Sequence, residues 1–419
     1  MDRHTLVYME TGAGARLAGR LWTRVRNQRE SATFEYDKSW LASPERFALE
    51  PALQLGPGPH HTAFDQTLFG AIGDSAPDRW GRILLRRAER RRAELAKETP
   101  RTLRETDFLL LVDDESRLGA LRFRAVENGP FLNDAAAKIP LLIEVPRLLL
   151  AAERFVGDRE SEEDLRMLLA PGSSLGGARP KACVRDRDAQ LSIAKFPQKG
   201  DEVNVVLWEA VALALAAKAG IRLPAWRLER VAKKPVLLVR RFDRAAGARI
   251  PFLSAMSMLG ARDNESRSYM EIVDALRRHG AAWREDAREL WRRVAFNVLI
   301  SNTDDHLRNH GFLYAGPRGW RLSPAYDLNP VPIDLKPRVL ATSITVDDAS
   351  ASLDLAMETA PYFGLGLSES RKIAAQVAKA TSAWRKEAAK NGLTNREIDR
   401  MSSAFEHEDR KAAKSTVPA

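Results

Sequence analysis

The period of the apolar positions changes several times along the chain. LVYMETGAGARLAGRLW sets two short apolar stretches around a Gly-rich turn, the pattern of a β-hairpin, and FEYDKSWL adds aromatic residues at alternating positions. After Pro77 the spacing turns helical through RWGRILLRRAERRRAELAKETPRTLR, up to Pro100. In the middle third, PGSSLGGARPKA reads as a Gly- and Ser-rich loop, and KACV, LSIAKF and PVLLVRRF read as strands. Between the last two, residues 204–219 predict an amphipathic helix stopped by Gly220. The last third is mostly helical. Leu290, Val294 and Val298 lie four apart on one face over residues 285–300, and Thr394 and Glu397 have capping-box spacing. The final DRKAAKSTVPA predicts a loose tail.

Composition narrows the classes. The 419 residues are 44% hydrophobic and 29% charged, an ordinary globular balance that excludes a disordered or fibrous chain. Their number implies two or three domains. Lys and Arg outnumber Asp and Glu by 66 to 56, a formal charge of +10, which favours acidic partners without naming one. Cys183 is the only cysteine, so an intrachain disulfide and a Cys-rich zinc site are both excluded. The first residues lack the apolar core of a signal peptide. The best apolar run, 211–217, is far shorter than the roughly 18–20 residues that cross a bilayer. The expectation is a soluble, cytoplasmic protein with no membrane partner. From Arg79 to Arg104 there are ten basic and three acidic residues. A solvated helix face is favoured there over a nucleic-acid patch, since no aromatic or Gly pattern accompanies the charge.

The strongest constellation is SNTDDHLRNHGFLY, a turn, then WRLSPAYDLNP. Asp304 stands five residues before Asn309, an apolar hairpin follows, and Asp327 comes shortly after it. Phosphoryl transfer needs such parts: one carboxylate to hold the attacking hydroxyl and accept its proton, and an amide oxygen with a second carboxylate to hold Mg²⁺. The protein-kinase catalytic loop has the same spacing and order. The bland reading is an Asx-rich loop capping its own turns. The hairpin and second Asp make it the weaker one.

Upstream, Gly172, Gly176 and Gly177 could bring backbone N–H groups close to phosphate oxygens, although the loop is neither a Walker A nor a dinucleotide motif and a plain surface loop explains the glycines almost as well. Lys195 shares a strand face with Leu191 and Ile193 and needs an anionic partner. Glu209 on the next helix is the natural candidate; the alternative is a strand-end lysine reaching water. His60 and His61 are adjacent, and His306 and His310 flank Asn309 without zinc-site character. His306 is expected to hydrogen-bond within the loop and fix its shape. No G-x-S-x-G elbow supports Ser–His–Asp hydrolysis.

SSLGGARPKA, IAKFP, WEAVALALAAKAGI, RRFDR, NTDDHLRNHGF and SPAYDL occur in the order found in HipA-type serine/threonine kinases, the toxin half of bacterial toxin–antitoxin pairs. FEYDKSWL and DSAPDRWGR resemble the module that precedes the kinase core in that family. The resemblance covers nearly the whole chain. It implies an α+β, bilobal protein-kinase-like fold with an additional N-terminal α/β module and a mainly helical C-terminal lobe. The implied division is a HipA-type module over 1–105, a kinase N-lobe-like region with Gly-rich loop and hinge over 106–245, and a helical C-lobe with the catalytic loop over 246–419.

The resemblance also implies ATP and Mg²⁺ as cofactors and a serine on another protein as acceptor. Asp304 would be the catalytic base, with Asn309 and Asp327 as Mg²⁺ ligands, and Lys195 would contact the α/β phosphates. Gly176, Gly177, Ala178, Arg179, Pro180 and Lys181 would cover the nucleotide. Arg240, Arg241 and Phe242 would form the hinge strand beside adenine, and His306 and Tyr326 would line the site. In this family a serine just before the loop is autophosphorylated and switches the kinase off; Ser174 or the adjacent Ser173 matches it. Family members commonly pair with a helix-turn-helix HipB-like antitoxin, through which DNA would be met only indirectly. The reading is a HipA-type kinase that inhibits translation by modifying an aminoacyl-tRNA synthetase. Its rivals are a small-molecule kinase on the same core and a DNA-associated regulator with transfer chemistry lost.

Overall fold

The computed structural model describes residues 3–12, 14–134, 139–172 and 177–415. The chain divides into two compact units. The first comprises Met1–Gly200 and Glu229–Leu253, and the second Asp201–Leu228 and Ser254–Ala419.

The first unit opens with the expected hairpin, β1 (Arg3–Thr11) and β2 (Gly14–Arg26), with a register shift at Val7/Tyr8. β3 (Arg29–Tyr36), β4 (Pro59–His61) and β5 (Leu121–Arg124) complete a sheet of order β4-β3-β2-β1-β5. Helix α1 (Arg79–Ala96) follows the helical pattern read from the sequence and ends at Lys97 in left-handed backbone. Its apolar side, with Trp80 and Leu84, packs into one core with α2 (Val145–Val156), α3 (Glu162–Gly172) and the strands β6 (Lys181–Arg185), β7 (Leu191–Lys195) and β8 (Lys234–Arg240). Its outer face is laced by ion pairs: Arg82 with Glu105, Arg87 with Glu160, Arg91 with Glu94, and Arg92 and Arg101 with Glu89.

In the second unit, α4 (Val205–Lys218) starts at Asn204, whose side chain caps the Leu207 amide at 3.2 Å, and stops before Gly220 at φ 76°. It is not amphipathic. Residues Val206 to Leu213 are all buried, as are Leu215 and Ala216, so it is a central helix covered on all sides. Trp208 meets Trp384 and Phe405, which stack on each other at 4.6 Å. α5 (Tyr269–His279) and α6 (Trp283–Leu299) follow, and then the hairpin β9 (Gly311–Tyr314) and β10 (Trp320–Leu322). The capping box of Thr394 and Glu397 starts α7 (Asn395–Arg400) as expected. Within the expected loose tail, residues 409–415 are instead helical, in α8 (Glu408–Ser415), and the last four residues lie outside the described ones. Asp409 ties the helix down by accepting from the Leu353 amide at 2.6 Å and from Arg338 at 2.7 Å. No helix among the described residues is long and apolar enough to cross a membrane.

Candidate functional site

After α6 the chain turns at Ser301, held in left-handed backbone at φ 50°. The next loop carries two adjacent aspartates in opposite environments. Asp305 is 2% exposed. Its carboxylate accepts from the Tyr269 hydroxyl at 2.5 Å and from Asn297 at 2.8 Å, and lies 2.8 Å from His310 Nε2. Thr342 donates to its backbone carbonyl at 2.7 Å. Burial alone would raise the Asp305 pKa, but the His310 charge and these hydrogen bonds hold it below the usual carboxylate range. Burial and the same carboxylate push the Tyr269 phenol well up.

Asp304, by contrast, has a side chain 68% exposed, with Lys336 Nζ 3.4 Å from its Oδ1. The same ammonium donates to the Thr303 carbonyl at 3.2 Å. Spacing singled out Asp304, and burial makes the same division: one carboxylate is consumed as an anchor, the other is presented to solvent.

Asn309 is buried, and its Nδ2 donates to the Asp304 carbonyl at 3.1 Å, which leaves Oδ1 as the atom able to face a cation. The hairpin pairs Phe312 with Leu322 and Tyr314 with Trp320, then delivers Tyr326 and Asp327. The Tyr326 hydroxyl donates to the Arg308 carbonyl at 2.7 Å and ties the returning chain to the loop. Asp327 has φ 56°, a left-handed conformation costing on the order of 1 kcal/mol in a non-glycine residue. Asn309 and Asp327 together offer hard oxygen donors. They fit Mg²⁺, which uses one or two protein oxygens and otherwise keeps water and phosphate. Among the described residues no group of three or more His, Cys, Asp and Glu could hold a metal.

The histidine that fixes the loop's shape is His310, not His306. The His306 side chain is exposed, and His306 bonds within the loop through its backbone: its N–H donates to the Asp304 carbonyl at 2.9 Å and its carbonyl accepts from the Asn309 amide at 2.8 Å. His310 is buried at the start of β9, where its ring reaches Asp305.

The phosphate-handling candidates belong to the first unit. Ser173, Ser174 and Gly176 lie outside the described residues. Gly177 has φ 78°, and a Cβ built there would lie 2.6 Å from Lys181 Nζ, so this lysine's ammonium lies against the Gly177 backbone. Ala178 and Arg179 are exposed, and Pro180 accepts from the Phe196 amide at 3.0 Å. Lys181 is 6% exposed and pairs directly with Lys195 across the β6–β7 ladder. Residues paired in this way are cross-strand neighbours, so an anion reaching one of these lysines would be near the other. Glu209 is buried on α4, in the second unit.

The expected hinge residues have defined partners. Arg240 ends β8 and pairs with Asp188. Phe242 lies 6.4 Å from the Phe252 ring. Arg241 is buried, and its guanidinium donates to Asp243 at 2.8 and 2.6 Å and to the carbonyls of Ser116 and Arg117 at 2.5 and 3.0 Å. Asp243 also accepts from Arg244 at 2.6 Å and from the Gly119 amide at 2.8 Å. Burial opposes its ionisation, but the two arginines hold its pKa far below the usual range. This cluster was missed in the sequence, as were Tyr269, Asn297 and Lys336. RRFDR was the only visible trace of it.

A model of the HipA N-terminal domain matches residues 10–123, and one of the HipA-like C-terminal domain matches residues 173–384. A Haemophilus influenzae protein named as a candidate kinase is 33% identical over 69 residues, 16% of this chain and 20% of its own length. The chain therefore matches about a fifth of that curated relative. Among solved structures, HipA of the Shewanella oneidensis MR-1 toxin–antitoxin system, in the complex of HipA, HipB and operator DNA, overlays with a TM-score of 0.64. That overlay covers 97% of this chain and 96% of the other at 16% identity, and it shows a common fold. The Helicobacter pylori proinflammatory kinase CtkA overlays with a TM-score of 0.43 at 14% identity, over 58% of this chain and 93% of its own. With both domain models matched in chain order, and the C-terminal one spanning half of its length, this protein belongs to the HipA family.

Proposed function

We propose that this chain is an ATP- and Mg²⁺-dependent serine/threonine protein kinase, the toxin of a pair completed by a HipB-like helix-turn-helix antitoxin. Its target is a protein serine, with an aminoacyl-tRNA synthetase as the class that the family resemblance suggests. DNA is met through the antitoxin. The observation that carries the reading is the division of labour between Asp304 and Asp305. A buried carboxylate with three donors holds the loop, and its exposed neighbour stands beside Asn309 and ahead of Asp327.

In this mechanism Asp304 orients the acceptor hydroxyl and takes its proton. Asn309 and Asp327 would hold Mg²⁺, which neutralises charge on the phosphates when bound. Lys195, with Lys181 and the Gly177 backbone, handles the phosphate oxygens. Arg240, Arg241 and Phe242 supply the strand beside the base, and Tyr326 and His306 line the pocket. Ser173 or Ser174 is the self-modification site.

The experiment is intact-protein mass after incubation with ATP and Mg²⁺, for wild type and Asp304→Ala. Phosphate gained by the wild type alone, at Ser173 or Ser174, supports the reading. Equal phosphate on both proteins, or none on either together with no ATP binding, overturns it.

A further inference from the structure

We infer that Trp80 is a positioning residue for the nucleotide loop, holding both ends of the Gly177–Lys181 turn from the preceding domain; this rests on the reading that the turn contacts nucleotide. Trp80 is 2% exposed, near the start of α1. Its backbone N–H donates to the Gly177 carbonyl at 3.1 Å, and its indole Nε1–H donates to the Lys181 carbonyl at 2.9 Å. A single side chain and its own amide thus bracket Ala178, Arg179 and Pro180. Pro180 has no N–H with which to brace the turn from within. The ring is seated edge-on against Phe155 at 5.3 Å, so the indole has little freedom to swing away.

The consequence is preorganisation. Gly177 must stay in its left-handed conformation with the Lys181 ammonium against it, and a turn fixed at both ends loses less freedom when it closes on phosphates. Trp80 stands within the matched N-terminal domain, whereas the turn belongs to the C-terminal one. The N-terminal domain is therefore part of what shapes the nucleotide loop. A partner that displaces the start of α1 would loosen that loop without touching the nucleotide.

Trp80→Phe tests this, because it keeps an aromatic ring against Phe155 and the amide bond to Gly177 while removing the indole N–H. Leu84→Ala is the control, since Leu84 is buried in the same core on the same helix. Three quantities are compared in the full-length chain: the dissociation constant of a fluorescent ATP analogue, KM for ATP against kcat, and hydrogen exchange of the peptide spanning 177–181. The expected result for Trp80→Phe is a rise of about 5- to 20-fold in both the dissociation constant and KM. Its kcat at saturating ATP should stay within about 3-fold, with faster exchange at 177–181. Leu84→Ala should lower the melting temperature without moving KM. Unchanged KM and exchange in Trp80→Phe, or an equal KM rise in Leu84→Ala, overturns the inference. If the wild type binds no nucleotide, the kinase reading fails, and exchange in the nucleotide-free chain still decides whether Trp80 holds the turn.

Discussion

Lys181 and Lys195 stand directly opposite one another in the antiparallel β6–β7 ladder. Opposed residues of a ladder are cross-strand neighbours, so an anion bound at this position would meet both side chains. Replacing either lysine by Met tests whether the pair receives phosphate. The same change should weaken ATP binding by at least about tenfold. Calorimetric titration with ATP measures the effect, and thermal melts in its absence check that each variant is folded.

The two aspartates of the loop should separate chemistry from stability. Asp304→Asn is expected to abolish phosphoryl transfer with its melting temperature essentially unchanged, since the side chain is exposed. Asp305→Asn should cost about 1–3 kcal/mol, because Tyr269, Asn297 and His310 then face an amide instead of a carboxylate. Urea melts run beside a transfer assay would reveal the contrast. A stable Asp305→Asn protein would contradict the anchoring role.

Asp243 is the shared acceptor of the buried Arg241 and the partly buried Arg244. Asp243→Ala leaves both guanidinium groups without their counter-charge and should destabilise the first unit by about 3–5 kcal/mol. Arg241→Met, which removes one buried charge and keeps the stem, should cost less. Guanidinium unfolding curves of the two variants would rank them.

Glu50 predicts the pH dependence. It is 3% exposed and accepts from the Ala71 amide, and burial pushes its pKa from 4.5 to about 7, with Asp74 adding to the rise. The folded state therefore holds this proton to higher pH than the unfolded chain does. Between about 4.5 and 7 unfolding releases it, so stability falls as pH rises and the loss is complete above 7. Glu50→Gln should remove that slope and be more stable than wild type at pH 8 by at most about 3 kcal/mol. Melts of both proteins at pH 5 and pH 8 provide the measurement.

Local chemistry was legible wherever one segment carried its own signal. The hairpin of β1 and β2 follows from apolar stretches around glycines, α4 from Asn204 and Gly220, and α7 from its capping box, because turns and helix ends are decided within a few residues. The spacing of Asp304, Asn309 and Asp327 was readable for the same reason. Tertiary packing alone decided the rest. It enclosed α4 on every side, where the pattern suggested one wet face, and it held α8 in a helix through Asp409 and two partners more than fifty residues away. It also buried Asp305 against Tyr269 and His310 and brought Trp80 to a turn a hundred residues further on. Contacts of that span have no periodicity to read. They exist only once the chain has closed its long loops, and the physical character of an aspartate or a tryptophan is then set by what surrounds it.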